Sequence, residues 1–246
     1  MDELGDRWWY LFAGLWGLLA LGALLSGCQP LPGTVRGEDE AVSGCVLDDA
    51  RLPVARLPPA TYAGRRFLAD GNHLGWDILL PEGEAIHPIG CGVIRLARAA
   101  QGYGTLVVVV EHRLAESVVF ANGRGEQVPV DRFLSIYGHL RPTADRASRD
   151  IPLPLRPGSV VTTDMVIGYV QHRALNGDGD EHLHLSIRLQ GADAAQRTDP
   201  AAWFRGYDSG STYRRWYADP EDALARLQRL FRLPDPPVPD VSDPLA

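Results

Sequence analysis

The sequence has no basic surplus and little cysteine. Its 24 Lys and Arg are outnumbered by 31 Asp and Glu, giving a formal net charge of −7 over 246 residues. A general nucleic-acid binder needs a basic face to displace counterions from phosphates, so that class is set aside. Cysteine occurs three times, at Cys28, Cys45 and Cys91. None has the close CxxC neighbour that usually marks a thiolate zinc site. Internal repeats are absent. Helical periodicity is confined to one segment, and long apolar runs to one end of the chain.

That apolar run is WWYLFAGLWGLLALGALLSG, residues 8–27, immediately ahead of Cys28. Its length suits a bilayer span and equally the apolar core of an export signal. LSGC, residues 25–28, resembles the lipobox of bacterial lipoprotein signals, where small residues precede a cysteine that takes lipid and becomes the new N-terminus. A lipidated Cys28 is therefore expected. The leading segment carries Asp2, Glu3 and Asp6 against Arg7, whereas export signals start basic, so a retained anchor is the alternative and a cleaved soluble form the third. Each places the remaining chain outside the cytoplasm, unless the acidic start inverts the topology. Disulfides are permitted there, and with Cys28 lipidated Cys45 and Cys91 form an even pair. A bridge between them would pin the leader onto the domain; two free thiols are the other reading.

The organisation then reads as residues 1–27 signal or anchor, 28–60 tether, 61–205 folded domain and 206–246 C-terminal helix and tail. The tether is rich in Pro, Gly, Arg and acidic residues, a composition with little structure of its own. The domain shows short strands between tight turns. HPIGCGVIRLA (87–97) and GTLVVVVEHRL (104–114) read as neighbours across the turn AAQGYG, and ESVVFANGRGEQVPVDRFLSIYGHL (116–140) as strands around a Gly-rich loop. GSVVTTDMVIGYVQ (158–171) holds two more, and EHLHLSIRLQ (181–190) alternates with period two. This spacing predicts a mainly antiparallel all-β fold. One helix follows, capped by Asp219, opened by Pro220, complemented by Glu221 and Asp222, and ended by Pro234. Its Leu224, Leu227, Leu230 and Phe231 form one apolar face. The final LPDPPVPDVSDPLA has the composition of a disordered tail.

His182 and His184 flank Leu183 in the last strand, so both side chains point to one face while Leu183, Leu185 and Ile187 point to the other. Alone, the pair reads as polar residues facing solvent. Upstream, NHLGWD places His73 four residues before Asp77. Along a straight strand they would be roughly 13 Å apart, too far to share an ion whose ligands lie about 2.0–2.2 Å from it. Gly71, Gly75 and Pro81 argue against a helix. The workable geometry is a loop turning into a strand, with Gly75 permitting the bend. His139, in SIYGHL, reads alone as a satisfied turn histidine.

The ordered set HxxxD, YGHL and HLH resembles the lysostaphin/LytM-type zinc metallopeptidases of the M23 peptidase family, which cut peptide bonds in bacterial cell walls. The resemblance runs from about His73 to Ile187, roughly half the chain, and includes PEGEAIHPIGCGVI, GYGTLVVVVEH and RPGSVVTTDMVIGYV between the three motifs. It implies a two-sheet antiparallel β fold with an open groove, and one Zn2+ per chain held by His73, Asp77 and His184. It implies a catalytic pair, His139 and His182, acting on a metal-activated water. It also implies peptidoglycan peptides as substrate, in the cell envelope, on the periplasmic side if the cell has an outer membrane, with the N-terminal lipid or anchor holding the chain to the membrane. Two other roles follow from the same resemblance: a non-catalytic lipoprotein that binds and activates a cell-wall amidase, and a zinc peptidase that processes proteins. The amidase activators lack the full ligand set, whereas all five residues are present here.

The sequence departs from the family pattern after and before HLH. Leu185 and Ser186 follow where Phe and a nearby Glu are common, and the acidic NGDGDE precedes it where small neutral residues are usual. His112 is assigned no metal role; His87 and His172 read as surface or structural. Tyr103 and Tyr137 suit core packing better than a cleft wall. Glu38, Asp39, Glu40, Asp48 and Asp49 could mask a metal, but none is marked out.

Overall fold

The computed structural model describes residues 45–57, 64–145, 147, 150–152, 155–177, 179–201, 203–208, 210 and 212–232. The chain divides into two units, Met1–Val35 and Arg36–Ala246, and every described residue lies in the second. The apolar run 8–27, Cys28, Glu38, Asp39, Glu40 and Pro234 fall outside the described residues. No helix among the described residues is long and apolar enough to cross a membrane.

LVVVV at residues 106–110 does not alternate with polar residues, and a strand of that kind must be covered on both faces. It opens β5 (Leu106–Ala121), which forms a long hairpin with β6 (Gln127–Arg141). Asn122 shapes the turn, its Oδ1 accepting the N–H groups of Arg124 and Glu126. Around this hairpin lie β4 (Gly92–Arg98) and β7 (Val160–Val161) on one side, and β9 (His182–Arg188) and β10 (Tyr217–Ala218) on the other. β2 (Trp76–Leu79) adds to β9, while β3 (Ala85–Ile86) joins through β8 (Gly168–Val170) to β6. These pairings are antiparallel. The expected antiparallel all-β architecture is present, with its strands joined in one hydrogen-bonded network.

Two apolar layers cover the faces. Val108, Val110, Phe133, Tyr137, Leu183, Leu185 and Ile187 belong to one core cluster, and Val107, Val109, Leu134 and Ile136 to the other. Short helices α1 (Arg173–Asn176) and α2 (Ala192–Thr198), not read from the sequence, follow β8 and β9. The predicted helix is α3 (Pro220–Phe231), with the Asp219 side chain accepting from the Glu221 N–H. Leu224 and Leu227 are buried against the first cluster, which stabilises by roughly 1.5–3 kcal/mol each. Leu230, read as part of that face, is 51% exposed. Phe231, one residue further on, packs against the cluster, so Leu230 is exposed because it is rotated to the edge of the apolar face.

Residues 45–57 fall within the stretch read as tether, yet they belong to the core. β1 (Val46–Leu47) pairs with β5, here in parallel, and Leu47, Ala50 and Val54 are buried in the first cluster. These apolar side chains dock the segment on the sheet. Cys45 and Cys91 are joined in a disulfide, with Cα atoms 5.9 Å apart.

Candidate active site

β2 and β9 run antiparallel in a register that sets Asp77 opposite His184 and Leu79 opposite His182. Leu183, Leu185 and Ile187 enter one core while His182, His184 and Ser186 share the other face, as the period of two requires. His73 precedes β2 in a loop, its backbone accepting from Leu68 N–H and bridging to Tyr207. The chain therefore turns between His73 and Asp77, bringing His73 Nε2 within 3.1 Å of Asp77 Oδ1. Gly75 is not among the glycines with positive φ, so glycine is required here by a close approach rather than by the bend. A Cβ there would lie 2.6 Å from His184 Cε1 and Nε2.

Asp77 Oδ1 is 2.9 Å from His184 Nδ1, and His184 Nδ1 is 3.1 Å from His73 Nε2. The three donor atoms lie within 4.8 Å of one another, and all three residues are buried. Burial alone would raise the Asp77 carboxyl, but hydrogen bonding to His184 and His73, with the fields of both rings, holds it well below the usual carboxylate range. Burial lowers His184, against the pull of Asp77. The outer nitrogens are committed elsewhere. His73 Nδ1 donates to the Arg66 carbonyl at 3.0 Å, and His184 Nε2 lies 2.8 Å from Ser186 Oγ. A carbonyl only accepts, so the Nδ1 of His73 carries the proton in the neutral ring and Nε2 the lone pair.

His139 and His182 stand beside this cluster with ring centroids 4.3 Å apart. His182 Nε2 is 3.7 Å from Asp77 Oδ1. Each ring donates Nδ1–H to a backbone carbonyl at 2.8 Å: His139 to Asn176, His182 to Asp180. Burial, then the fields of His182 and His184, push His139 down to about 3, so it is neutral at ordinary pH. His139 reaches this face through a left-handed backbone, φ 61°, which breaks the alternation that would otherwise send it with Tyr137 into the first core. A cavity of about 250 Å3 opens here, lined by Gly64, Arg65, Asp77, Leu79, Asp180 and His182. A larger hollow, of about 380 Å3, is lined by Glu111, Arg132 and Arg197 among others and touches none of the four histidines.

The structure thus brings His73, Asp77, His139, His182 and His184 together. Tyr103 packs in the second core and also turns its ring toward His139 and His184, at 5.8 and 5.6 Å. Tyr137 is fully buried and its hydroxyl accepts from Ile89 N–H. His112, buried, bonds the Cys91 carbonyl and Ser135 hydroxyl and stands apart from the cluster. His172 lies with Glu82 and Glu181 in a second group of closely spaced donors. Its Nδ1 caps α1 by accepting from Ala174 N–H, which puts the neutral ring's proton on Nε2, the atom facing Glu181 at 3.9 Å. That nitrogen is then a donor rather than a metal ligand.

Three contributors were not read from the sequence. Ser186 follows His184 by two and so shares its face, a signal that was legible. Arg65 and Tyr207 were not: Arg65 donates to the Tyr207 hydroxyl, and the Tyr207 ring lies 5.3 Å from that of His73. Tyr207 lies beyond the boundary drawn at residue 205.

No family model matches the sequence, and no curated protein does. Among solved structures, the chain is similar to CbpA from L. salivarius REN, at 16% identity and a TM-score of 0.43 over 74% of this chain and 99% of that one. It is also similar to the catalytic domain of the antimicrobial peptidase lysostaphin from Staphylococcus simulans, at 17% identity and a TM-score of 0.37 over 66% and 88%. Csd3 from Helicobacter pylori aligns at 20% identity and a TM-score of 0.36 over 74% and 39%.

Proposed function

We propose that the protein is a zinc-dependent endopeptidase of the M23 type acting on peptide bonds of bacterial peptidoglycan. The observation that carries this reading is the convergence of His73 Nε2, Asp77 Oδ1 and His184 Nδ1, all within 4.8 Å of one another. With neutral rings, two lone pairs and an ionised carboxylate face one point, a donor set that a dication satisfies. Two imidazoles and one carboxylate match a hydrolytic zinc site, which keeps a further position open. The outer-nitrogen contacts to Arg66 and Ser186 are those that orient metal-bound histidines.

Zinc bound there supplies a Lewis-acid centre that acidifies water and polarises a carbonyl. The chain's own part is proton handling. His139 and His182 both commit Nδ1–H to a carbonyl, so the neutral rings keep Nε2 as the proton-accepting nitrogen. One ring takes the proton of the attacking water, and a protonated ring returns it to the leaving amine or steadies the oxyanion. Arg65 and Asp180 on the cavity wall offer opposite charges to a peptide. The Cys45–Cys91 disulfide agrees with an oxidising, extracytoplasmic compartment. Lipid on Cys28, holding the chain to the membrane, completes the proposal.

The test is incubation of the purified full chain with isolated peptidoglycan, with products read by mass spectrometry and metal by elemental analysis. About one zinc per chain and new peptide fragments that disappear with chelator are expected. A folded chain that takes no zinc overturns the metal assignment. A zinc-loaded chain that releases no fragment overturns the substrate.

A further inference from the structure

The acidic loop before HLH departs from the family pattern, and its position assigns it work. Asn176 ends α1 and is completely buried. Its carbonyl accepts His139 Nδ1–H at 2.8 Å. Its side chain closes the following loop on itself: Oδ1 accepts Gly179 N–H at 3.0 Å, and Nδ2 donates to the Asp180 carbonyl. That same carbonyl accepts His182 Nδ1–H at 2.8 Å. Asn176 is thus one hydrogen bond from His139 and two from His182.

The loop is held against the histidines from both sides. Gln171 N–H, just before α1, donates to the His139 carbonyl, while His139 N–H donates to Tyr103. Gly104 packs directly on the loop; a Cβ there would lie 2.9 Å from Asn176 Cα and O. Gly177, at φ 89°, turns the chain out of the helix.

We propose that Asn176 is a positioning residue for both histidines of the pair, its backbone setting the tautomer of His139 and its amide setting that of His182 through the Asp180 carbonyl. A neutral imidazole is protonated on whichever nitrogen finds an acceptor. Two fixed carbonyls therefore hold Nδ1–H on both rings and turn both Nε2 lone pairs to the cleft. Without the Asn176 amide the Asp180 carbonyl is no longer held, and His182 is free to flip or to carry its proton on Nε2, where it cannot accept another. His139, bonded to the main chain of residue 176 itself, is spared by side-chain substitution.

The proposal rests on the peptidase reading for its activity arm alone. Nitrogen-15 NMR of the histidine rings in the zinc-loaded full chain reads the tautomers directly. Wild type is expected to hold His139 and His182 as Nδ1–H; an Nε2–H tautomer at His182 overturns the proposal without any variant. Asn176→Ala, or the isosteric Asn176→Asp that keeps the Gly179 bond but lacks the amide donor, is expected to shift His182 toward mixed tautomers and leave His139 unchanged. Zinc content and KM stay as in wild type while kcat falls about 10–100-fold, the usual cost of losing an orienting partner. Unchanged His182 nitrogen shifts in a folded variant, or kcat lost together with zinc, overturns it. If wild type cleaves nothing yet the His182 shifts respond as stated, the peptidase reading fails and the positioning role stands.

Discussion

Asp77 and His184 are direct cross-strand partners, Oδ1 to Nδ1 2.9 Å apart, on β2 and β9. The candidate metal site is therefore set by strand register: a slip of one residue would put Leu183 or Leu185 opposite Asp77 and turn the histidines into the apolar core. Removing the one carboxylate of the set should remove the metal. For Asp77→Ala, zinc by elemental analysis should fall from about one per chain to background, with the β-sheet circular dichroism spectrum retained. Full zinc occupancy in that variant would sink the ligand assignment.

Ser186 supports His184 from behind, its Oγ 2.8 Å from Nε2. Ser186→Ala should keep the fold and weaken zinc binding about 10–100-fold, as loss of an orienting partner does. Competition against a chromogenic chelator measures this. A wild-type affinity would mean that strand geometry alone orients the ring.

The disulfide closes a loop with a sequence separation of 46 between Cys45 and Cys91. Chain-entropy arguments put the stabilisation from such a loop at about 4 kcal/mol. The Cys45→Ser, Cys91→Ser double variant should therefore show a lower guanidinium midpoint than wild type, and reductant should lower wild type alone. Equal midpoints would show that β1 docking by Leu47, Ala50 and Val54 suffices.

His112 is pushed down to about 4 by burial, against its bond to the Cys91 carbonyl. Above its ordinary value of 6.5 the ring is neutral folded or unfolded, and it contributes no slope. Below that value the unfolded chain takes a proton the fold refuses, so stability falls until pH reaches about 4. The loss over this window is about 3 kcal/mol. Unfolding free energies measured against pH with chelator present should fall less steeply between these values for His112→Gln than for wild type. Parallel curves would remove His112 as a source of acid lability.

Much of the sheet was legible because its pattern is local. The Val107–Val110 run demanded cover on both faces, and the alternation of HLHLSI placed histidines and leucines on opposite sides. The N-terminal cap of α3, Asp219, was equally plain. What stayed hidden depended on contacts distant in sequence or on one backbone angle. His139 escapes the parity of β6 only because its φ is 61°, which no spacing rule reports. Tyr207 joins His73 through a bridge across 134 positions of chain. Residues 45–57 read as linker because they sit inside a longer stretch, 28–60, rich in Pro, Gly, Arg and acidic residues, although Leu47, Ala50 and Val54 bury them. The acidic loop looked like a rim, because its action lies in its carbonyls and the Asn176 amide rather than in its charges.

The Cys45–Cys91 bond also decides how the molecule carries mechanical load. Tension arriving from the N-terminal side enters the described fold at Cys45 and passes covalently through sulfur into Cys91, at the threshold of β4. The intervening chain, residues 46–90, is short-circuited, and both His73 and Asp77 lie within it. A pull that would otherwise peel β1 and then strain β2 bypasses these two proposed metal ligands. Reduction would place those two ligands in series with the force.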